Sequence, residues 1–295
     1  MELCDLEYLI ASADTGNFGR AAESFGLSVS TISRRIGRLE NELGLSLFER
    51  RHSGVCLTAG GKSVMVHARR ALAELDTVRR SGLQNGAGDV GEIRLGVRSP
   101  PIGKALVGLL SRWRAAHANL ALTISEMSDR ELAIGLDERR LDLALTSRHA
   151  VWPHAVTLPL FRERLLAALP FGHVLAERRV DWTALRKETI LVQGSDETQA
   201  GHEFHLSALV REAKIRMCPA SKQSLFALVA AGFGITLATA SQAEITFPGI
   251  VFRPIESEDA SVEMVLAWLP ELEDPAVGRF VAFLRDELRS RRNSP

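Results

Sequence analysis

Between Ser30 and Arg38 the chain sets Ser30, Thr31, Ser33, Arg34, Arg35 and Arg38 along one helical stretch. Hydroxyls make single hydrogen bonds to base edges or phosphates, and guanidinium groups bind guanine or phosphate through paired bonds. Val29, Ile32, Ile36 and Leu39 recur at spacings of three and four, so the same stretch also carries an apolar face. Polar groups on one side and aliphatics on the other describe a helix that rests on a core and enters a DNA groove. An arginine-rich face by itself is equally the mark of a solvated helix hairpin. The elements around it have to decide.

Those elements are legible. Ala21, Ala22 and Phe25 predict a short helix before Gly26, a residue at ease in a left-handed turn, and Ser28 is an N-cap for the second helix. Leu6, Leu9, Ile10 and Ala13 predict a preceding helix, which completes a three-helix core. Gly44 to Thr58 reads as two short strands around Arg51–Gly54, a wing that carries Arg50, Arg51 and His52 toward a phosphate backbone. From Arg20 to Arg70 nine basic residues face four acidic ones, a net +5, whereas the chain of 295 residues has formal net charge +0. Local positive charge on a neutral protein suits a DNA-reading module joined to something that does not bind nucleic acid. The DNA-contacting candidates are Ser28, Val29, Ser30, Thr31, Ser33, Arg34, Arg35 and Arg38, with Arg50, Arg51 and His52 on the wing.

The ordered residues Asn17-Phe18, Ala21-Ala22-Glu23, Ser28 to Ser33, Ile36, Leu39-Glu40, Leu43-Gly44, Leu47-Phe48, Arg50, Leu57-Thr58 and Gly61 resemble the LysR-type transcriptional regulators across about the first sixty residues. The resemblance implies an α/β chain with an all-α-type winged helix-turn-helix head. Residues 1–58 would form the head and 59–87 a linker helix and hinge. Residues 88–295 would form a two-lobe α/β effector-binding domain resembling periplasmic solute-binding proteins, with lobe I at about 88–160 and 268–295 and lobe II at about 161–267. It further implies sequence-specific binding of double-stranded DNA at an interrupted palindrome, by a homodimer or homotetramer. A small, anionic effector and RNA polymerase are the other expected partners. Val29 departs from the family, which often has glutamine there. Valine can touch a thymine methyl group but cannot make an amide hydrogen bond to adenine.

Ala59 to about Leu83 reads as one long helix. Val64, Ala68, Ala71, Leu75 and Val78 alternate spacings of four and three, the seam of a short coiled coil through which two chains pair. Ser81 to Gly88 reads as a hinge. Beyond it, strands at Glu92–Val97, Ala121–Glu126 and Leu141–Thr146 alternate with helices at Ile102–Ala116 and Asp129–Glu138, the signature of a parallel sheet. A second unit begins at Leu165–Leu169. It continues through Thr189–Val192, a helix near Gln199–Ala213, Ser224–Ala231 and Gly234–Ala238. Val262–Trp268 and the helix Ala276–Arg289 return to the first lobe.

Ligands of such sheets bind at the carboxyl ends of the strands. The effector-binding candidates are therefore Ser99, Pro100, Ile102, Ser128, Thr146 and Ser147 on one lobe, and Gln193, Gly194 and Phe233 on the other. Serine and threonine also favour helix starts as plain caps. An architectural DNA-binding protein whose C-terminal lobes serve oligomerisation alone is the alternative reading.

No nucleophile elbow, P-loop, H-E-x-x-H motif or dinucleotide fingerprint stands in its required context, so the chain reads as a non-enzyme without a cofactor. His202 and His205 lack further placed ligands, and no metal is expected. Cys4, Cys56 and Cys218 are far apart without a CxxC pair, which argues for a reduced compartment and against a two-cysteine redox sensor. Glu2, Asp5 and Glu7 precede any basic residue, unlike a secretory signal, and Gly232 and Gly234 interrupt the longest uncharged stretch. A cytoplasmic protein without a membrane span is expected.

Overall fold

The computed structural model describes the chain apart from residues 52–53, 84–90, 99–102, 151, 195–212, 271–273 and 293–295. At positions 50, 51, 77, 79–83, 149 and 291–292 it describes backbone alone. His52, Ser99, Pro100, Ile102, most of the expected hinge, and nearly all of the expected helix near Gln199–Ala213, with His202 and His205, lie outside the described residues. The chain divides into two compact units, Met1–Gly86 with Ile134–Arg140, and Ala87–Ala133 with Leu141–Pro295.

In the first unit, helices α1 (Leu3–Thr15), α2 (Phe18–Ser24) and α3 (Val29–Leu43) precede a hairpin of β1 (Phe48–Arg51) and β2 (Gly54–Leu57), then α4 (Ala59–Leu83). Leu6, Leu9, Ala22, Ile32, Ile36, Leu39, Leu47, Met65 and Ala68 form its core. Helix boundaries follow side-chain chemistry. The Asn17 side chain accepts from the amides of Gly19 and Arg20 at 2.7 and 3.3 Å, opening α2, and Gly44 closes α3 in the left-handed conformation at φ 69°. The Glu40 carboxylate accepts from the amides of Leu47 and Phe48 at 2.7 and 3.2 Å, which ties the wing to α3.

Two residues of the expected coiled-coil seam are used inside the head. Ala68 is buried in its core and Val64 packs against it. Ala71 is exposed, Leu75 half-buried and Val78 64% exposed. A heptad-like spacing arises here partly because the start of α4 is itself a core helix of the head.

In the second unit, β3 (Gly91–Val97), β4 (Leu120–Glu126) and β5 (Leu143–Ser147) are parallel, with α5 (Lys104–Ala116) and α6 (Asp129–Asp137) between them. The strand β6 (Val156–Pro170) runs for 15 residues and organises the rest. Its first half pairs antiparallel with β11 (Ser261–Trp268), which in turn pairs with β5. Its second half pairs with β9 (Thr236–Thr239) and β10 (Ile250–Pro254). One strand thus belongs to both lobes, where the sequence pattern showed a start at Leu165. Beside it, β7 (Thr189–Gln193) pairs in parallel with β8 (Lys214–Cys218), and Ile190 bridges to Ile235 at the start of β9.

The short α7 (Trp182–Leu185), α8 (Lys222–Ala230), α9 (Ala240–Ala243) and α10 (Pro275–Arg292) complete the described α-helices. Strands β8 and β10 escaped the sequence reading because they carry few fully buried residues, so apolar alternation is weak along Lys-Ile-Arg-Met-Cys and Ile-Val-Phe-Arg-Pro. Trp113 of α5 packs edge-on against Phe280 of α10 with ring centroids 4.8 Å apart, which sets the C-terminal helix against α5.

Candidate nucleic-acid interface and effector cleft

The outer face of α3 is built by its own caps. Ser28 Oγ accepts from the Thr31 amide at 3.2 Å and shares hydrogen bonds of 2.8 Å with the hydroxyls of Ser30 and Thr31. Ser28 and Thr31 therefore fix the start of the helix, and their hydroxyls are engaged before any DNA arrives. Ile32, Ile36 and Leu39 bury the opposite face. Val29, Ser30 and Arg34 stand exposed, with Ser33 half-exposed between them.

The three arginines of α3 differ in their partners. Arg34 has no carboxylate partner among the described residues. The Arg35 guanidinium lies 3.0 Å from Glu2 and 3.3 Å from Asp5, a buried carboxylate at the start of α1 that also accepts the Glu2 amide at 2.7 Å. Hydrogen bonding to Arg35 holds the Glu2 carboxyl below its ordinary value, and Glu2 pushes Arg35 up in return. Arg35 is in this way a brace between α3 and α1, although its type and position on the sequence mark it as a base reader. Arg38 is exposed and lies 3.5 Å from Glu42 one turn on. The N-terminal ammonium also pairs with Glu42 and is the main cause of that carboxyl's lowered pKa.

Val29, Ser30 and Ser33 come together with Asn17, Phe18, Gly19, Gly54 and Val55 around an open concavity of about 520 Å³. The sequence reading placed Asn17 and Phe18 in the helix-turn-helix pattern without a contact role, and Val55 in the wing alone. Only the fold shows that they share a surface with the start of α3. The wing is held tightly against this surface. Val55 donates to the Gly16 carbonyl at 2.9 Å, and a Cβ on Gly54 would lie 2.2 Å from that same oxygen. Gly54 itself has φ 137°, which a side chain would strain. Arg50 and Arg51 belong to β1, which brings their backbone to the wing.

In the second unit the carboxyl edge of the lobe I strands gathers Arg98, Asp129, Thr146 and Ser147. Arg98 Nη1 lies 3.1 Å from Asp129 Oδ2, and Thr146 Oγ1 donates to Asp129 Oδ1 at 2.9 Å. Ser147, 6% exposed, has a hydroxyl with no hydrogen-bond partner among the described residues. Such a group is costly to bury, and a missing polar partner is one explanation of its retention. Ser128 differs. Its amide and hydroxyl donate to Glu131 at 2.8 and 2.7 Å, and its oxygen accepts the Glu131 amide, so it caps α6.

On lobe II, Gln193 ends β7, and the Gly194 amide donates to the Cys218 carbonyl at 3.0 Å. Phe233 does not join them. The Gly232-Phe233-Gly234 turn feeds a strand parallel to β7, so it sits where β7 begins, with a Gly234 Cβ position 2.5 Å from the Thr189 carbonyl. Phe233 is exposed there beside the Arg216 guanidinium. It occupies the edge opposite Gln193 because parallel strands put all their amino ends together.

Three further polar groups were not anticipated. Glu163 on the shared strand β6 is buried and accepts from the Ser241 hydroxyl and, at 3.4 Å, the Ser241 amide. Gly103 packs on Ser241 so closely that a Cβ would approach its Oγ to 2.0 Å, and the Lys104 amide donates to Glu244 at 3.0 Å. Lys222, 2% exposed at the start of α8, places Nζ 3.4 Å from Thr236 Oγ1. No local pattern identifies these residues, because each partner is supplied by a distant strand or helix. Among the described residues no cluster of three or more His, Cys, Asp or Glu is arranged to hold a metal ion, and no helix is long and apolar enough to cross a membrane.

With this geometry in view, the chain was compared with known proteins. Residues 3–62 match the model of the bacterial regulatory helix-turn-helix protein, lysR family, and residues 86–289 match the LysR substrate binding domain. An uncharacterized HTH-type transcriptional regulator of Escherichia coli K12, YnfL, is 30% identical over 98% of this chain and 99% of its own. A hydrogen peroxide-inducible genes activator of Dickeya chrysanthemi is 29% identical over 95% of this chain and 92% of its own. Among solved structures, full-length CbnR complexed with its target DNA superimposes with a TM-score of 0.71 at 26% identity, covering 97% of this chain and 99% of that one.

Proposed function

The chain belongs to the LysR family of DNA-binding transcriptional regulators, and on that premise we propose how its two ends work together. The head, residues 1–58, reads an interrupted palindrome as part of a homodimer or homotetramer paired through the linker at 59–87. The domain at 88–295 takes up a small anionic metabolite between lobe I (about 88–160 and 268–295) and lobe II (about 161–267). The observation that carries the DNA reading is the face of α3, where Val29, Ser30 and Arg34 are exposed above a continuous apolar core. A two-fold dimer matches a palindrome whose half-sites it spans.

For the effector, support comes from Arg98 at the carboxyl edge of lobe I, from the buried Lys222 on lobe II, and from the Ser147 hydroxyl, which has no partner among the described residues. Effector binding would shift the population of lobe arrangements, and with it the spacing and bend imposed on DNA. RNA polymerase would receive the outcome, in the cytoplasm. Footprinting of the upstream region of its own gene tests the DNA reading: a protected interrupted palindrome is expected, and its absence would overturn it. Calorimetry against a panel of small carboxylates tests the cleft. A purely architectural protein would give no saturable heat.

A further inference from the structure

We infer that Val29 reads the C5-methyl group of a thymine in each half-site, using the concavity it shares with Phe18, Gly19 and Val55. The inference rests on the DNA-binding reading above and goes further by naming the base. Val29 is the first residue of α3 and is 52% exposed, an aliphatic side chain beside the hydroxyls and the Arg34 guanidinium of the helix's outer face. It contributes nothing to the head's core, which Ile32, Ile36 and Leu39 supply from the other face.

The surroundings of Val29 are shaped for an apolar knob. Gly19 leaves its neighbourhood bare: a Cβ there would come within 4.0 Å of Val29 Cγ2. Phe18 and Val55 add apolar wall, while Ser30 and Ser33 supply hydroxyls at the rim of the same 520 Å³ concavity. The Asn17 side-chain oxygen is already accepting two backbone amides. A recognition helix presents its N-terminal residues to the major groove. Of the four base-pair edges there, only that of thymine carries an apolar group. Valine offers no donor or acceptor, so it cannot select guanine or adenine by hydrogen bonds. Packing against a methyl group is the discrimination left to it, and the serine hydroxyls can reach the adjacent O4 or its neighbours.

The test uses the full-length protein. Duplexes enriched from a random library define its half-site, and each symmetric pair of thymines is then replaced by deoxyuridine, which removes the methyl and keeps every hydrogen-bonding group. At one pair the unmodified protein should lose about four-fold in affinity per half-site, the factor expected for one buried methyl group. V29A should bind the thymine duplex more weakly and show a smaller deoxyuridine penalty at that pair alone. Its melting temperature should be unchanged, since Val29 is exposed and alanine is the better helix former. Two outcomes overturn the inference: indifference of the unmodified protein to every deoxyuridine, or an undiminished deoxyuridine penalty in V29A. Failure to enrich any sequence would instead overturn the DNA-binding reading on which it stands.

Discussion

The face of α3 and the carboxyl edge of the lobe I strands draw on the same side chains, serine, threonine and arginine, and organise them differently. On α3 they sit within eleven consecutive positions, Ser28 to Arg38, and one helical period relates them all. Their backbone hydrogen bonds are local, as in the Ser28 cap. At the lobe edge Arg98 follows β3, Asp129 opens α6, and Thr146 and Ser147 end β5, and these meet only because strands distant in sequence lie side by side. The difference teaches that residue type alone does not assign a role in either place. Thr31 and Ser128 both turn out to hold helix starts, while Arg34 and Ser147 are the groups left without a partner among the described residues.

Substitutions can break this comparison, and the largest effect belongs to the head. Gly54→Ala puts a methyl group into the Gly16 carbonyl at a positive φ, and should destabilise the wing by about 3 kcal/mol. Chemical denaturation would show the loss, and operator affinity should fall with it. Arg34→Ala should weaken operator binding by about 1–3 kcal/mol without changing the melting temperature. An equal loss on random DNA would make Arg34 a phosphate contact and not a base reader.

Arg35→Ala should do the reverse. Leaving the buried Asp5 without its cation should lower the melting temperature, and DNA affinity should follow stability. If Arg35→Ala instead spares the melting temperature and abolishes specificity, the brace is wrongly assigned. At the lobe edge, Ser147→Ala should raise stability by about 1 kcal/mol, because it removes a buried hydroxyl that has no partner among the described residues. Its effect should appear in effector-dependent heat or in the DNA response.

The smallest effect is a pH dependence of the head. Glu2 and Glu42 are held below their ordinary value of 4.5, by Arg35 and by the N-terminal ammonium respectively. Their stabilising contribution is therefore fully present above that value and disappears as pH falls through their lower folded values. Melting curves at falling pH should show this loss in the native protein and less of it in Glu2→Gln. A loss that persists unchanged in Glu2→Gln would count against the pairing with Arg35.

Much of the head was legible because helix boundaries, caps and turn glycines act within a few residues of themselves. Ser28 as N-cap, Gly26 in a left-handed turn, and α4 from Ala59 to Leu83 are all local statements. The roles of Val64 and Ala68 were not, since a spacing of four does not say whether the partner is a second chain or the head's own core. Phe233 reads from the sequence as a carboxyl-edge residue, and strand direction puts it on the opposite edge.

By itself the sequence determined the order of elements, the family, the positive charge of the N-terminal region and the polar face of α3, all properties of neighbours along the chain. Tertiary structure alone decided that Arg35 braces α1, that β6 serves two lobes, that Glu163 meets Ser241, and that Val29 shares a concavity with Phe18 and the wing. The physical reason is reach. Hydrogen bonds and ion pairs act over a few ångströms, and which distant residues come within that distance is settled by how the apolar faces pack.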